Sequence, residues 1–155
     1  MFLPINQIIQ GDALEVLKQM PDEVIDCIIT SPPYYGLRDY GVEGQIGLEK
    51  TLEEYLTKLL TITAELKRVL KPTGTMWWNH GDSYANRNPE RQSGRQEKVM
   101  SKEKSERSTR TYEPNFPEKS LLLQNFRLVQ RMIDEQQWIL RNCLIWWKPN
   151  VMPSS

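Results

Sequence analysis

The sequence predicts an α/β layered fold with a mainly parallel sheet. Apolar runs of strand length alternate with stripes at helical spacing. Each candidate strand also empties into a polar segment of the kind that lines a cleft at the carboxyl ends of strands. The 155 residues fit one domain, 1–155, and 39% of them are hydrophobic, enough for a core. Mean hydropathy is nonetheless low, at -0.59, so part of the chain is strongly polar.

Gln7-Ile8-Ile9-Gln10 is a short strand candidate ending at Gly11-Asp12. Residues 13–20 follow as a helix, with Leu14, Leu17 and Met20 at helical spacing and Pro21-Asp22 ending it. Val24-Ile25-Asp26-Cys27-Ile28-Ile29 is nearly continuous apolar sequence rich in branched residues, which suits a strand buried on both faces. It runs into Thr30-Ser31-Pro32-Pro33-Tyr34-Tyr35-Gly36, where two prolines stop the ladder.

Residues 35–50 read as a glycine-rich loop. Thr51-Leu52-Glu53-Glu54 has capping-box spacing, and Leu52, Tyr55, Leu56, Leu59, Ile62, Leu66, Val69 and Leu70 then form one helical stripe that Pro72 and Gly74 end. Thr75-Met76-Trp77-Trp78 is the next strand candidate and opens into Asn79-His80-Gly81-Asp82-Ser83-Tyr84. Residues 119–135 read as a helix with Leu122, Phe126, Val129 and Ile133 on one face, and residues 138–147 as a final strand.

Residues 85–117 hold few large apolar residues, many charges of both signs and no useful period. A loop that long is uncommon in a compact domain. It reads as a mobile segment ordered by DNA or as a solvated surface loop. Between residues 85 and 119, nine Lys and Arg face six Asp and Glu.

Charge is balanced, with 20 basic and 20 acidic side chains, which argues against a tail that binds polyanions by charge alone. Cys27 and Cys143 sit in apolar runs and read as buried thiols of a reducing cytoplasm. The single His80 has no Cys or His at metal-ligand spacing, so no metal site is expected. No signal peptide is visible, and no apolar run reaches the ~18 residues that would span a membrane.

Three strand ends offer chemistry together: Gly11-Asp12, residues 31–35 and residues 79–84. The Ser-Pro-Pro-Tyr turn suits a flat base bearing an amino group. Ser31 brings a hydroxyl, Pro32 a carbonyl acceptor, Pro33 stiffness and Tyr34 a ring for stacking. A bare S-P-P-Y could also be an ordinary proline turn.

Five stretches in order carry a resemblance: Ile9-Gln10-Gly11-Asp12-Ala13-Leu14, residues 26–34, residues 65–74, residues 79–84, and residues 140–142 through 147–150. Together they resemble the amino-group DNA methyltransferases that modify cytosine N4 or adenine N6, in the permuted class whose catalytic motif precedes the cofactor motif. The resemblance implies an incomplete Rossmann-like methyltransferase sheet with flanking helices. It implies S-adenosylmethionine as cofactor, double-stranded DNA as partner and an enzyme of the restriction-modification or phage type. Ser31, Pro32, Pro33 and Tyr34 match the catalytic motif. Asp12, Ser31, Asn79, Gly81 and Asp82 match positions near the cofactor. Tyr35, Tyr84, Trp146, Trp147 and Lys148 match the base pocket or the DNA contacts, although core packing is an equal reading for the tryptophans.

One departure stands out. The family binds the methionine part of its cofactor with Phe-x-Gly-x-Gly, and none of the eight glycines here has G-x-G spacing. Three explanations compete: half of a split enzyme completed by a second polypeptide, a truncated chain, or a homo-oligomer working in a reduced way. A fragment or split half is the leading one, and an incomplete sheet should then expose apolar surface. Cytosine N4 is the first choice of target because serine opens the motif, with adenine N6 the alternative. A catalytically silent module that binds DNA or a partner, and an RNA methyltransferase, remain open. Cytosine C5 chemistry is set aside, since neither cysteine stands beside a proline as its nucleophile would.

Overall fold

A computed structural model describes residues 5–85, 113, 115–147 and 149. Three helices and two strands follow in the order α1 (Ala13–Lys18), β1 (Ile25–Thr30), α2 (Leu52–Val69), β2 (Leu70–Trp78) and α3 (Gln124–Gln136). The strands pair in parallel, with α2 as the crossover between them. The expected α/β pattern is therefore present in reduced form, as a sheet of two strands.

Helix α2 is the spine. Thr51 caps it by accepting from the Glu54 N–H at 3.2 Å, and the Glu54 carboxylate reaches back to the Lys50 N–H at 3.1 Å. Its buried positions Leu52, Tyr55, Leu56, Leu59, Leu60, Leu66 and Val69 hold two core clusters. The larger joins Tyr35, Leu122, Leu128 and Met132, and the smaller joins Leu17 of α1. Near its end, Arg68 donates to the carbonyls of Leu17 and Met20, both at 2.8 Å, and so satisfies the open end of α1. The Arg68 guanidinium also pairs with Asp22 and Glu65.

Helix α2 ends at Val69, before the expected stop, and Pro72 and Gly74 lie inside β2. The register explains how the strand tolerates them. It passes from Ile25↔Leu70 to Cys27↔Thr75, so residues 71–74 oppose Asp26 alone in an irregular stretch. Glycine is needed there, since a Cβ at residue 74 would lie 2.7 Å from Leu70 and 3.0 Å from the Asp26 carbonyl oxygen.

Among the described residues, one sheet face is covered. Ile25, Ile28, Met76 and Trp78 pack on the helical clusters. On the other face Ile29 is 81% exposed, Trp77 is 55% exposed and Cys27 is open to solvent. The expectation of a strand buried on both faces is corrected accordingly, because the described residues supply helices to one side alone. Cys27 was expected to be buried and is exposed for the same reason.

Three further expectations change. Residues 7–10 form no strand, and Ile8 is fully exposed. Residues 138–147 form no strand either. Trp138 packs against the core, while Cys143, Ile145, Trp146 and Trp147 are exposed. Helix α3 starts at Gln124 and buries Gln124, Leu128 and Met132, leaving Phe126 and Ile133 largely outside. Leu123, with φ 54, is left-handed, so the helical period cannot be counted through from Leu122.

The 85–117 loop lies outside the described residues apart from Ala85, Glu113 and residues 115–117. Lys148 lies outside them as well. Among the described residues, no helix is long and apolar enough to cross a membrane, and no group of His, Cys, Asp and Glu could hold a metal ion.

Candidate active site

The carboxyl ends of β1 and β2 lie side by side, and the Asn79 N–H continues the ladder by donating to the Thr30 carbonyl at 2.9 Å. This pairing sets the 31–34 turn against residues 79–83. Ser31 is exposed, while Pro32, Pro33 and Tyr34 are half-buried. The Ser31 and Tyr34 hydroxyls meet at 3.2 Å. Among the described residues no donor bonds the Pro32 carbonyl, whereas the Pro33 carbonyl accepts from the Tyr55 hydroxyl at 2.9 Å.

Tyr34 is seated on both sides. Its ring lies 5.3 Å from the His80 ring, centroid to centroid, and packs on Gly81, where a Cβ would come within 2.8 Å. Its carbonyl faces Gly47, with φ 101, where a Cβ would also come within 2.8 Å.

The next residue anchors the turn. The Tyr35 N–H donates to Gln124 Oε1 at 3.2 Å, and its carbonyl accepts from the Ser83 hydroxyl at 3.1 Å. Its own hydroxyl donates to Glu113 Oε1 at 2.6 Å, an oxygen that also takes the Leu52 N–H at 2.7 Å. Burial, then the hydrogen bond and charge of Glu113, push the Tyr35 hydroxyl well above the usual tyrosine pKa. Burial likewise raises that of Tyr55.

Behind β2, residues 83–85 zip against residues 119–122 through three backbone bonds, Ala85 to Ser120, Lys119 to Ala85 and Leu122 to Ser83, which align Tyr84 with Leu121 as an antiparallel bridge. This places α3 beside Asp82. The Asp82 carboxylate accepts from the N–H groups of Leu123 at 2.9 Å and Gln124 at 3.2 Å, capping a helix whose own N-cap, a leucine, offers no side-chain acceptor.

The model of the N6/N4 family, described as DNA methylase, matches residues 25–155. The chain belongs to this DNA methylase family. Type II methyltransferase M.Cfr9I of Citrobacter freundii is 41% identical over 150 residues, covering 94% of this chain and 47% of its own length. M.XycI of Xanthomonas campestris pv. cyanopsidis is 41% identical over 154 residues, with 97% and 49% covered. M.SmaI of Serratia marcescens is 39% identical over 153 residues, with 96% and 50% covered. The chain thus spans about half the length of these curated relatives.

The structure gathers Ser31, Pro32, Pro33, Tyr34, Asn79, Gly81 and Asp82 at one edge. Two of the three expected strand ends converge. Gly11 and Asp12 do not follow a strand, and exposed Asp12 caps α1 by accepting from the Glu15 N–H at 3.1 Å. Tyr35, expected at the base pocket, is fully buried; its ring stacks on Tyr55 at 5.3 Å and its hydroxyl is held by Glu113. Tyr84 is 44% exposed, and Trp146 and Trp147 are each 76% exposed with no contact to the turn described.

Sequence reasoning missed Tyr55, His80, Gln124 and Glu113. Tyr55 was counted as one more apolar stripe position. A buried tyrosine hydroxyl needs a partner, and that need was the available signal.

Proposed function

We propose that this chain holds an extrahelical base in DNA while the exocyclic amine of that base accepts a methyl group. The observation that carries the reading is the convergence of two hydroxyls, Ser31 and Tyr34, 3.2 Å apart beside the Pro32 carbonyl, which no donor among the described residues bonds. An amine lone pair conjugated into a base ring is a poor nucleophile. Bonds from its N–H groups to Ser31 Oγ and the Pro32 carbonyl draw the nitrogen toward tetrahedral geometry. They also spread the positive charge that grows on it. The Tyr34 ring offers a face for the base, which must leave the duplex to arrive there. Cytosine N4 is the first choice of target, by the serine that opens the motif, and adenine N6 is the alternative.

The methyl donor implied by the family resemblance is S-adenosylmethionine, which supplies an electrophilic methyl group when bound. Two residues expected near it are engaged within the chain: Asp82 caps α3 with both carboxylate oxygens, and Gly81 fits the Tyr34 ring. With no G-x-G spacing among the glycines, the described residues do not make a complete cradle for the donor. The remainder of a longer chain, a second polypeptide or a second copy of the chain would complete it.

The same observation favours a second reading, a catalytically silent module that binds DNA or a partner. Nucleoside mass spectrometry of DNA from cells expressing the chain, with calorimetry for S-adenosylmethionine, separates the two. N4-methylcytosine supports the first reading, and N6-methyladenine moves the target to adenine. DNA binding with no donor affinity and no modified base establishes the module. A 5-methylcytosine product overturns the chemistry given to the turn.

A further inference from the structure

The 31–34 turn is held from behind by Tyr55, from the buried stripe of α2, and by His80, from the segment after β2. A carbonyl can only accept, so the Tyr55 hydroxyl donates to Pro33 across 2.9 Å. That uses its single hydrogen. The 2.9 Å contact between the same hydroxyl and His80 Nε2 then has one assignment, with Nε2–H donating to the Tyr55 oxygen. His80 Nδ1 is left as a bare nitrogen, buried and without a partner among the described residues. A proton there would be a buried donor with no acceptor, so the imidazole stays neutral. Burial holds its pKa down to about 4. The neutral ring lies against Tyr34 at 5.3 Å, Tyr55 at 6.1 Å and Trp78 at 6.2 Å.

We propose that Tyr55 and His80 are positioning residues for the base-holding turn, joined in a one-way relay from His80 Nε2–H to the Tyr55 hydroxyl to the Pro33 carbonyl. The relay ties down the second proline carbonyl and leaves the first, on Pro32, as the acceptor open to a ligand. The His80 ring and Gly81 hold Tyr34 from behind, so the Ser31 and Tyr34 hydroxyls are presented together. Small displacements of such a set matter, since an error of about 1 Å in a reacting group can cost on the order of a hundredfold in rate. The catalytic meaning of this positioning rests on the function proposed above; the relay itself does not.

His80 is the single histidine, so its ring nitrogens give unambiguous resonances. Long-range proton–nitrogen NMR at pH 7 should find Nε2 protonated and Nδ1 bare. Tyr55→Phe keeps the ring stacked on Tyr35 and removes the hydroxyl. It should shift His80 toward a mixture of tautomers and broaden or move the Ser31 and Tyr34 amides, with the amides of α2 unchanged. An Nδ1-protonated ring in the unaltered chain would overturn the proposal. So would a Tyr55→Phe spectrum in which His80 and Tyr34 stay as they were. Should Tyr55→Phe not fold, His80→Gln takes its place, and unmoved Ser31 and Tyr34 amides would again overturn the relay. None of these readouts involves DNA. A chain with an intact relay that binds no DNA tells against the proposed function alone.

Discussion

A Cβ on residue 81 would stand 2.8 Å from Cε2 of Tyr34, so the bare backbone of Gly81 is the surface on which the Tyr34 ring rests. Gly81→Ala forces the ring outward or the 79–82 backbone back. Overpacking of this kind costs roughly 1–3 kcal/mol. Denaturant titration should find a loss in or below that range, because an exposed-side ring can give way. DNA affinity should fall by a larger factor than stability accounts for. Wild-type affinity in Gly81→Ala would remove Tyr34 from the binding surface.

Asp82 carries a structural duty that its place at the site conceals. Its carboxylate supplies the cap of α3, so Asp82→Ala should destabilise the chain by roughly 0.5–2 kcal/mol. Asp82→Asn, which keeps one acceptor oxygen, should cost less. Thermal unfolding with amide exchange along α3 checks both; unchanged exchange at Leu123 and Gln124 would contradict the cap.

His80 makes stability depend on pH in a defined direction. Its folded pKa, about 4, lies below the ordinary 6.5. Above pH 6.5 the ring is neutral in both states, and its contribution is fully present. As pH falls from 6.5 toward 4, the unfolded chain takes up the proton first and stability is lost, by on the order of 1–3 kcal/mol. His80→Gln should flatten this part of the stability profile. The same slope in both proteins would show that other groups cause it.

Ser31→Ala removes the hydroxyl given the amine N–H to accept. In a preparation that methylates DNA, turnover should fall by more than DNA affinity does, which radiolabel transfer and gel-shift titration measure side by side. Equal losses in the two would contradict the role of the hydroxyl.

What the sequence made legible was local. Two adjacent prolines mark the 31–34 turn, and the Thr51 cap and the apolar stripe mark α2, because each signal lies within one element. Tyr55 and His80 were opaque because their partners are remote: the Tyr55 hydroxyl reaches 22 residues back to Pro33 and 25 forward to His80. The face of α3 was misjudged because one left-handed residue, Leu123, shifts the phase of the helix. Cys27 and Ile29 look like core by composition, yet burial needs a covering layer, and none of the described residues provides one on that side. Five matched stretches carried the family, whereas the exposed tryptophans at 146 and 147 show that a matched segment need not form the expected strand.

The central claim is that the 31–34 turn grips a base already out of the stack. The most direct measurement is an equilibrium titration of the chain with a duplex bearing one bulged cytosine or adenine, against the same duplex fully paired. The account predicts tighter binding to the bulged duplex, and a Tyr34→Ala chain that loses roughly 1–3 kcal/mol of that preference. Equal binding to both duplexes, or a preference that survives Tyr34→Ala, would contradict it.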